Sequence, residues 1–220
     1  MDVTHGAPAP AVDDLAAALI EASPRLDPDG QRLAVTLYRT LAEGDPVAEH
    51  VLAERTGIAA AEVARMLDAW PGVFRDGAGG IVGFWGLCLP ETVHRVRAGG
   101  RDLHTWCAWD TLFLAPVLDR ALEVSSRCPE TGREISLTVA PAGIRTVDPA
   151  PTVLSFLRPE REWAEDIITT FCHHVLFLES PDAGARWLAG LPAGFLVGLD
   201  DGFELGRRFV AARFGAALAG

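Results

Sequence analysis

The chain has 220 residues, enough for one large or two small domains, and its 49% apolar and 22% charged residues are ordinary globular composition. Its net charge of -11 speaks against a general nucleic-acid binder, which needs clustered cations. It shows neither a long apolar run nor a signal-peptide pattern, so the expectation is a soluble cytoplasmic protein with no membrane or nucleic-acid partner. Lysine is absent, and every basic side chain is Arg. The four cysteines, Cys88, Cys107, Cys128 and Cys172, are too sparse for a secreted disulfide scaffold. In a reducing compartment such residues are buried, metal-binding or catalytic.

Residues 1–10 are small and Pro-rich and read as a loose tail. Residues 11–22 read as a short amphipathic helix with Val12, Leu15, Leu19 and Ile20 on one side, ended by Ser23-Pro24. A second helix over 29–43 has Leu33, Leu37, Tyr38 and Leu41 at helical spacing. Short helices follow over 47–55 and 59–69, separated by Thr56-Gly57. Val73–Arg75 and Ile81–Trp85, around a Gly-rich turn, read as a hairpin. Three helices and a hairpin is the winged helix-turn-helix order. Residues 29–85 carry five Arg against eight acids, and the would-be recognition helix carries Glu62, Arg65 and Asp68. An acidic recognition helix repels phosphate, so this half reads as a scaffold rather than a DNA reader.

Residues 86–104 read as a connector with strand-like stretches around Gly99-Gly100. Cys88, between leucines, reads as a small buried hydrophobe, and His94 and His104 as structural or exposed. A helix is expected from 106 toward Leu122, kinked or split by Pro116. Short β-rich runs at 124–128, 134–140, 144–147 and 152–157 predict an antiparallel sheet. Helices over 160–170 and 181–190, strands over 172–178 and 195–197, and a closing helix over 202–218 complete the pattern. The fold class is α+β: a winged-helix-like three-helix domain with a hairpin, then a mixed or antiparallel sheet domain with flanking helices. The division is 1–28 as tail and helix, a candidate lid over the site, 29–89 as the winged-helix-like domain, and 90–220 as the catalytic domain.

The chemistry centres on Thr105-Trp106-Cys107-Ala108-Trp109-Asp110. On a helix, Cys107 and Asp110 share a face at i and i+3. Thr105 is a candidate N-cap, which puts Cys107 in the first turn, where the helix dipole favours the thiolate. A buried Cys beside a cap is the structural alternative. Cys128, in Arg127-Cys128-Pro129-Glu130-Thr131-Gly132, resembles half a zinc knuckle with Thr131 where the second Cys would fall. Cys172 opens Cys172-His173-His174; strand alternation puts Cys172 and His174 on one face. Two or three thiols with a carboxylate suit a soft metal. Cys107, Cys128, Cys172 and one His are a closed structural-zinc set. With Asp110 left free to move protons, the site is open instead. A third possibility is a winged-helix regulator that senses a soft metal through the same three thiols.

Four motifs in order, WCAWD at 106–110, SSRC at 125–128, SLTVAP at 136–141 and FCHHVLFLES at 171–180, resemble organomercurial lyase (alkylmercury lyase, MerB). The resemblance extends to GDPV at 44–47, GGIVGFWGL at 79–87 and the closing helix, over roughly 29–215. It implies catalytic, mercury-binding roles for Cys107, Asp110 and Cys172 and a structural role for Cys128; the same trio would also serve a relative that binds mercury without catalysis. His173 stands where some members carry another Cys. The resemblance also implies protonolysis of a carbon–mercury bond without a cofactor. It implies partners too: an organomercurial substrate, small thiols that take away Hg(II), and a mercuric reductase.

Overall fold

The computed structural model describes residues 9–159, 162–164 and 166–219, so most of the expected tail and part of the expected 160–170 helix lie outside the described residues. The first half is built from α1 (Val12–Ala22), α2 (Pro28–Leu41), α3 (Glu49–Thr56), α4 (Ala60–Ala69) and the hairpin β1 (Val73–Arg75) and β2 (Ile81–Phe84). Local chemistry sets these ends. The Asp27 carboxylate accepts the Gly30 N–H at 2.7 Å with Pro28 at the first helical position. Gly57 closes α3 at φ +71°. The apolar faces of α1 and α2, Leu15, Leu19, Leu33, Leu37, Tyr38 and Leu41, are fully buried. Four of the five Arg of residues 29–85 pair with acids of the same stretch: Arg32 with Asp29, Arg55 with Glu43, Arg65 with Glu62 and Arg75 with Glu49.

The expected connector 86–104 is sheet. β3 (Leu87–Cys88), β4 (His94–Ala98) and β5 (Arg101–Thr105) join the hairpin to β6 (Leu122–Arg127), β7 (Glu134–Ala140) and β8 (Gly143–Asp148). The eight strands run in the order β1-β2-β3-β5-β4-β6-β7-β8, and every pairing is antiparallel. Alternation explains β4. His94, Val96 and Ala98 face the core, while Arg95 and Arg97 face out and pair with Asp102. One sheet therefore runs unbroken past residues 89 and 90. A second sheet sets β9 (Val153–Phe156) between β10 (Phe177–Leu178) and β11 (Phe195–Gly198).

The helix expected from 106 begins instead at Asp110: α5 is Asp110–Leu118, with Pro116 inside it. Strand pairing overrides the expected cap. Thr105 is the last residue of β5, paired with Leu87 and His94. Its hydroxyl donates to the Cys107 carbonyl at 2.9 Å instead of accepting a first-turn N–H. The strand expected over 172–178 is shortened to β10 for a similar reason. α6 (Ile167–Thr170) runs into a 3₁₀ turn at Cys172–His174, so the alternation expected for Cys172 and His174 does not apply. α7 (Pro181–Leu188) is capped by Ser180. The closing helix α8 (Leu199–Leu218) packs against α1, α2 and α5 and runs across the back of the site.

Candidate active site

Three elements meet at one buried point. Cys107 comes from the short loop between β5 and α5, Asp110 from the first residue of α5, and Cys172 from the 3₁₀ turn. Their ligand atoms all lie within 4.8 Å of one another, and all three residues are buried. The Cys107 N–H donates to Asp110 Oδ2 at 2.8 Å. The loop and the turn are stitched together by the Ala108 N–H, which donates to the Val175 carbonyl at 2.9 Å. Ser155 of β9 holds the turn from behind: its Oγ donates to the His174 carbonyl at 2.7 Å and accepts the Leu176 N–H at 3.1 Å. Gly86, between β2 and β3, lets the chain pass directly over the carboxyl of Asp110, where a Cβ would collide.

Burial sets the electrostatics. It pushes Asp110 up from an ordinary carboxylate to about 7, against hydrogen bonds from Cys107 that pull it down. Cys107 is raised well above an ordinary thiol, first by burial, then by its hydrogen bond to Cys172 and by the Asp110 charge. The expected helix-dipole activation of Cys107 is thus overturned: the residue sits ahead of the helix in a fully enclosed loop. For Cys172 the hydrogen bond with Cys107 pulls the thiol down, but burial and Asp110 together leave it raised. Both buried thiols are therefore held above the ordinary range, with their shared hydrogen bond pulling the two in opposite directions.

Cys128 is not in the cluster. It lies past the end of β6, where its N–H donates to the Arg133 carbonyl and its carbonyl accepts the Gly132 N–H. Among the described residues, the group able to hold a metal is Cys107, Asp110 and Cys172, with no His. Among the described residues, nothing brings Cys128 or a His to the trio to support the closed zinc set or the three-thiol sensor site. Cys88 is buried in β3, with its thiol near the Pro90 carbonyl at 3.5 Å and pushed up to about 12, chiefly by burial. His94 is buried, and Nδ1 shares a hydrogen bond with Ser126 Oγ at 2.8 Å.

A cleft of about 360 Å³, its open mouth included, is lined by Asp110 and Cys172, with Cys107 behind them. Its walls are mostly aromatic: Trp85, Trp106, Trp109, Phe113, Trp163 and Phe171 among them. Trp109 is also a structural post, with its indole N–H on the Gly202 carbonyl at 3.0 Å and its ring edge-on to Phe113, Phe156, Phe171 and Phe209. None of α1 lines the cleft. That helix reaches it through Trp163, whose N–H donates to the Ala22 carbonyl at 2.8 Å.

Two thiols and a carboxyl of raised affinity for protons, at the end of an apolar cleft, define a soft-metal site that can also move a proton. The comparisons with known proteins agree. Residues 87–211 match the family model for alkylmercury lyase, and residues 14–85 match the helix-turn-helix domain of alkylmercury lyase. Alkylmercury lyase of Pseudomonas putida is 41% identical over 174 residues, covering 79% of this chain and 81% of the relative. That of Staphylococcus epidermidis is 37% identical over 175 residues, covering 80% of each. The crystal structure of the mercury-bound form of MerB2 superposes with a TM-score of 0.70 at 25% identity, over 91% of this chain and 98% of that one. The chain belongs to the alkylmercury lyase family.

Two contributors to the site, Gly86 and Ser155, escaped sequence reasoning, and so did Arg213, which lines the cleft. Arg213 left a signal. It falls four residues after Phe209 on the closing helix, a cation on the apolar stripe. Ser155 left none beyond its place in a β-rich run.

Proposed function

We propose that this lyase cleaves its substrate with Cys107, Asp110 and Cys172 acting in sequence. The Cys172 thiolate displaces the ligand X⁻ of an organomercurial R–Hg–X. Cys107 then joins the mercury as thiolate, and its proton passes to the Asp110 carboxylate. Asp110 returns that proton to the carbon of R as the carbon–mercury bond breaks, and R–H leaves. Hg(II) remains on the two sulfurs with its oxidation state unchanged. The balance needs no cofactor, since the proton delivered to carbon is the one Cys107 brings. The observation that carries this reading is the convergence of three buried ligand atoms within 4.8 Å. An Asp110 that titrates near 7 can act as base and then as acid at neutral pH. Each such proton-transfer role is typically worth ~10²–10⁴ in rate. The apolar walls exclude water and strengthen these interactions.

Small thiols entering the cleft take Hg(II) off the two sulfurs by exchange and restore the free enzyme; a mercuric reductase is the protein acceptor we propose. All four cysteines are free, which suits a reducing cytoplasm. Among the described residues no helix is long and apolar enough to cross a membrane.

The test is protonolysis of phenylmercury by the purified protein with excess small thiol, with benzene followed by gas chromatography. The wild type should release benzene. Cys107→Ser and Cys172→Ser should each release none, and Asp110→Ala should bind mercury but lose most turnover. Full activity in any of the three variants would remove that residue from the mechanism.

A further inference from the structure

One charged group in the cleft is left unused by this chemistry. Arg213 of α8 exposes 5% of its surface and lines the cleft with Asp110 and Cys172. Its guanidinium carbon stacks 4.1 Å from the centroid of Trp85 and 5.1 Å from that of Phe209. Among the described residues, its Nε and Nη2 are buried with no hydrogen-bond partner. Burial lowers its proton affinity to about 10, so it is charged at neutral pH. An unpaired cation out of water is costly. Stacking on aromatic faces offsets part of that cost, but it supplies no acceptor for the N–H groups in the guanidinium plane.

That arrangement suits recognition of an anion. The planar fork matches a carboxylate with two parallel hydrogen bonds, and the rings hold the fork in place while its buried Nε and Nη2 have no protein partner. The mercury end of the ligand is electrophilic and goes to the thiols and Asp110, so the anionic group must lie elsewhere on the incoming molecule. We propose that Arg213 is a specificity-determining residue that binds a carboxylate carried by the mercurial. The carboxylate comes either from the carbon-bound group or from the thiol that accompanies the mercury. The inference rests on the lyase reading and adds a class of preferred substrate to it.

The experiment compares two pairs of substrates in the full-length enzyme. The first pair is phenylmercury and 4-carboxyphenylmercury, read as benzene and benzoate. The second is methylmercury presented as its 2-mercaptoethanol complex or its mercaptoacetate complex, read as methane. The wild type should prefer the carboxylate member of at least one pair, through KM. Arg213→Met should lower kcat/KM for that member roughly tenfold to hundredfold, the size of one charge-assisted hydrogen-bond pair, and leave the neutral member within about threefold. Arg213→Lys keeps the charge without the fork; it should retain part of the preference and covers the case in which the Met variant does not fold.

Preference lost in the first pair alone assigns the carboxylate to the carbon group, and in the second alone to the accompanying thiol. A wild type that turns over phenylmercury without preference in either pair would overturn the inference, as would variants that slow both members of each pair equally, which is the mark of a packing residue. A wild type that releases no benzene at all instead sinks the lyase reading.

Discussion

Gly86 and Asp110 are in direct contact: a Cβ on Gly86 would stand 2.6 Å from Asp110 Oδ1 and 2.5 Å from its Cγ. The backbone of Gly86 is also at φ +101°, a region that side chains disfavour. Both conditions demand glycine, and together they fix where the carboxyl sits. Gly86→Ala should push the carboxyl away from the sulfurs. A misplacement on the order of 1 Å costs about 10² in rate. The sulfurs are held by other elements, so mercury should still bind one to one. Benzene release and mercury stoichiometry measured side by side test this; near-native turnover would show that the contact gives way freely.

Asp110 makes stability and activity move oppositely with pH. Its folded affinity for a proton, about 7, lies above the ordinary 3.8 because of burial. The folded protein thus holds a proton that the unfolded chain has given up. The stabilising effect is full below about pH 4 and is lost as pH rises through about 7. Asp110→Asn keeps the acceptor for the Cys107 N–H and removes the charge. Its Tm should match the wild type's near pH 4 and exceed it above pH 7, while its turnover is lost. In the wild type kcat/KM should rise with pH around 7 as the base form appears. Superimposable Tm profiles would place the Asp110 charge in contact with water and contradict its burial.

Ser155 acts on Cys172 without touching it. Its Oγ satisfies both the His174 carbonyl and the Leu176 N–H, the two ends of the segment that follows Cys172. Ser155→Ala removes the partner of both part-buried groups, which costs about 0.5–1.5 kcal/mol of stability. It also frees the turn to shift. The expected outcome is a lower Tm together with slower benzene release at saturating substrate. If the Tm falls and kcat does not, the turn is held by its own 3₁₀ hydrogen bonds instead.

What the sequence made legible follows from how local each feature is. Cys107 and Asp110 could be paired from spacing alone, because three residues of chain cannot carry them far apart. Their geometry could not, because it depends on Thr105 being tied on both sides, by Leu87 and by His94, partners distant in sequence. The same holds for residues 86–104. Alternation in His94–Ala98 is visible, but strand rather than connector depends on β6 being available to pair with it. Cys172 could be found as a residue and not as a conformation: its apolar flank reads as strand, while α6 ahead of it and Ser155 behind it impose a turn. Gly86 stood inside a quoted motif. Its meaning appears only when the carboxyl it makes room for is in place.

The order in which the thiols ionise yields the last prediction. Cys107 and Cys172 share one hydrogen bond, which raises Cys107 and lowers Cys172. The proposed chemistry takes Cys107 as the donor, which keeps its proton, so that the first thiolate formed is Cys172. That order suits the proposed chemistry: Cys172 attacks mercury first, and the proton still on Cys107 is the one that must reach carbon. A titration followed by thiolate ultraviolet absorbance separates the two, run in a Cys128→Ser background because at the Cys128 thiol burial is outweighed by hydrogen bonds, which lower it. Cys172→Ser should remove the lower-pH step. Cys107→Ser should retain one step, moved to higher pH, because a serine hydroxyl leaves a weaker donor beside the thiolate. If Cys107→Ser removes the lower step instead, Cys107 is the first thiolate, the proton for carbon must come from elsewhere, and the sequence of attack proposed above is reversed.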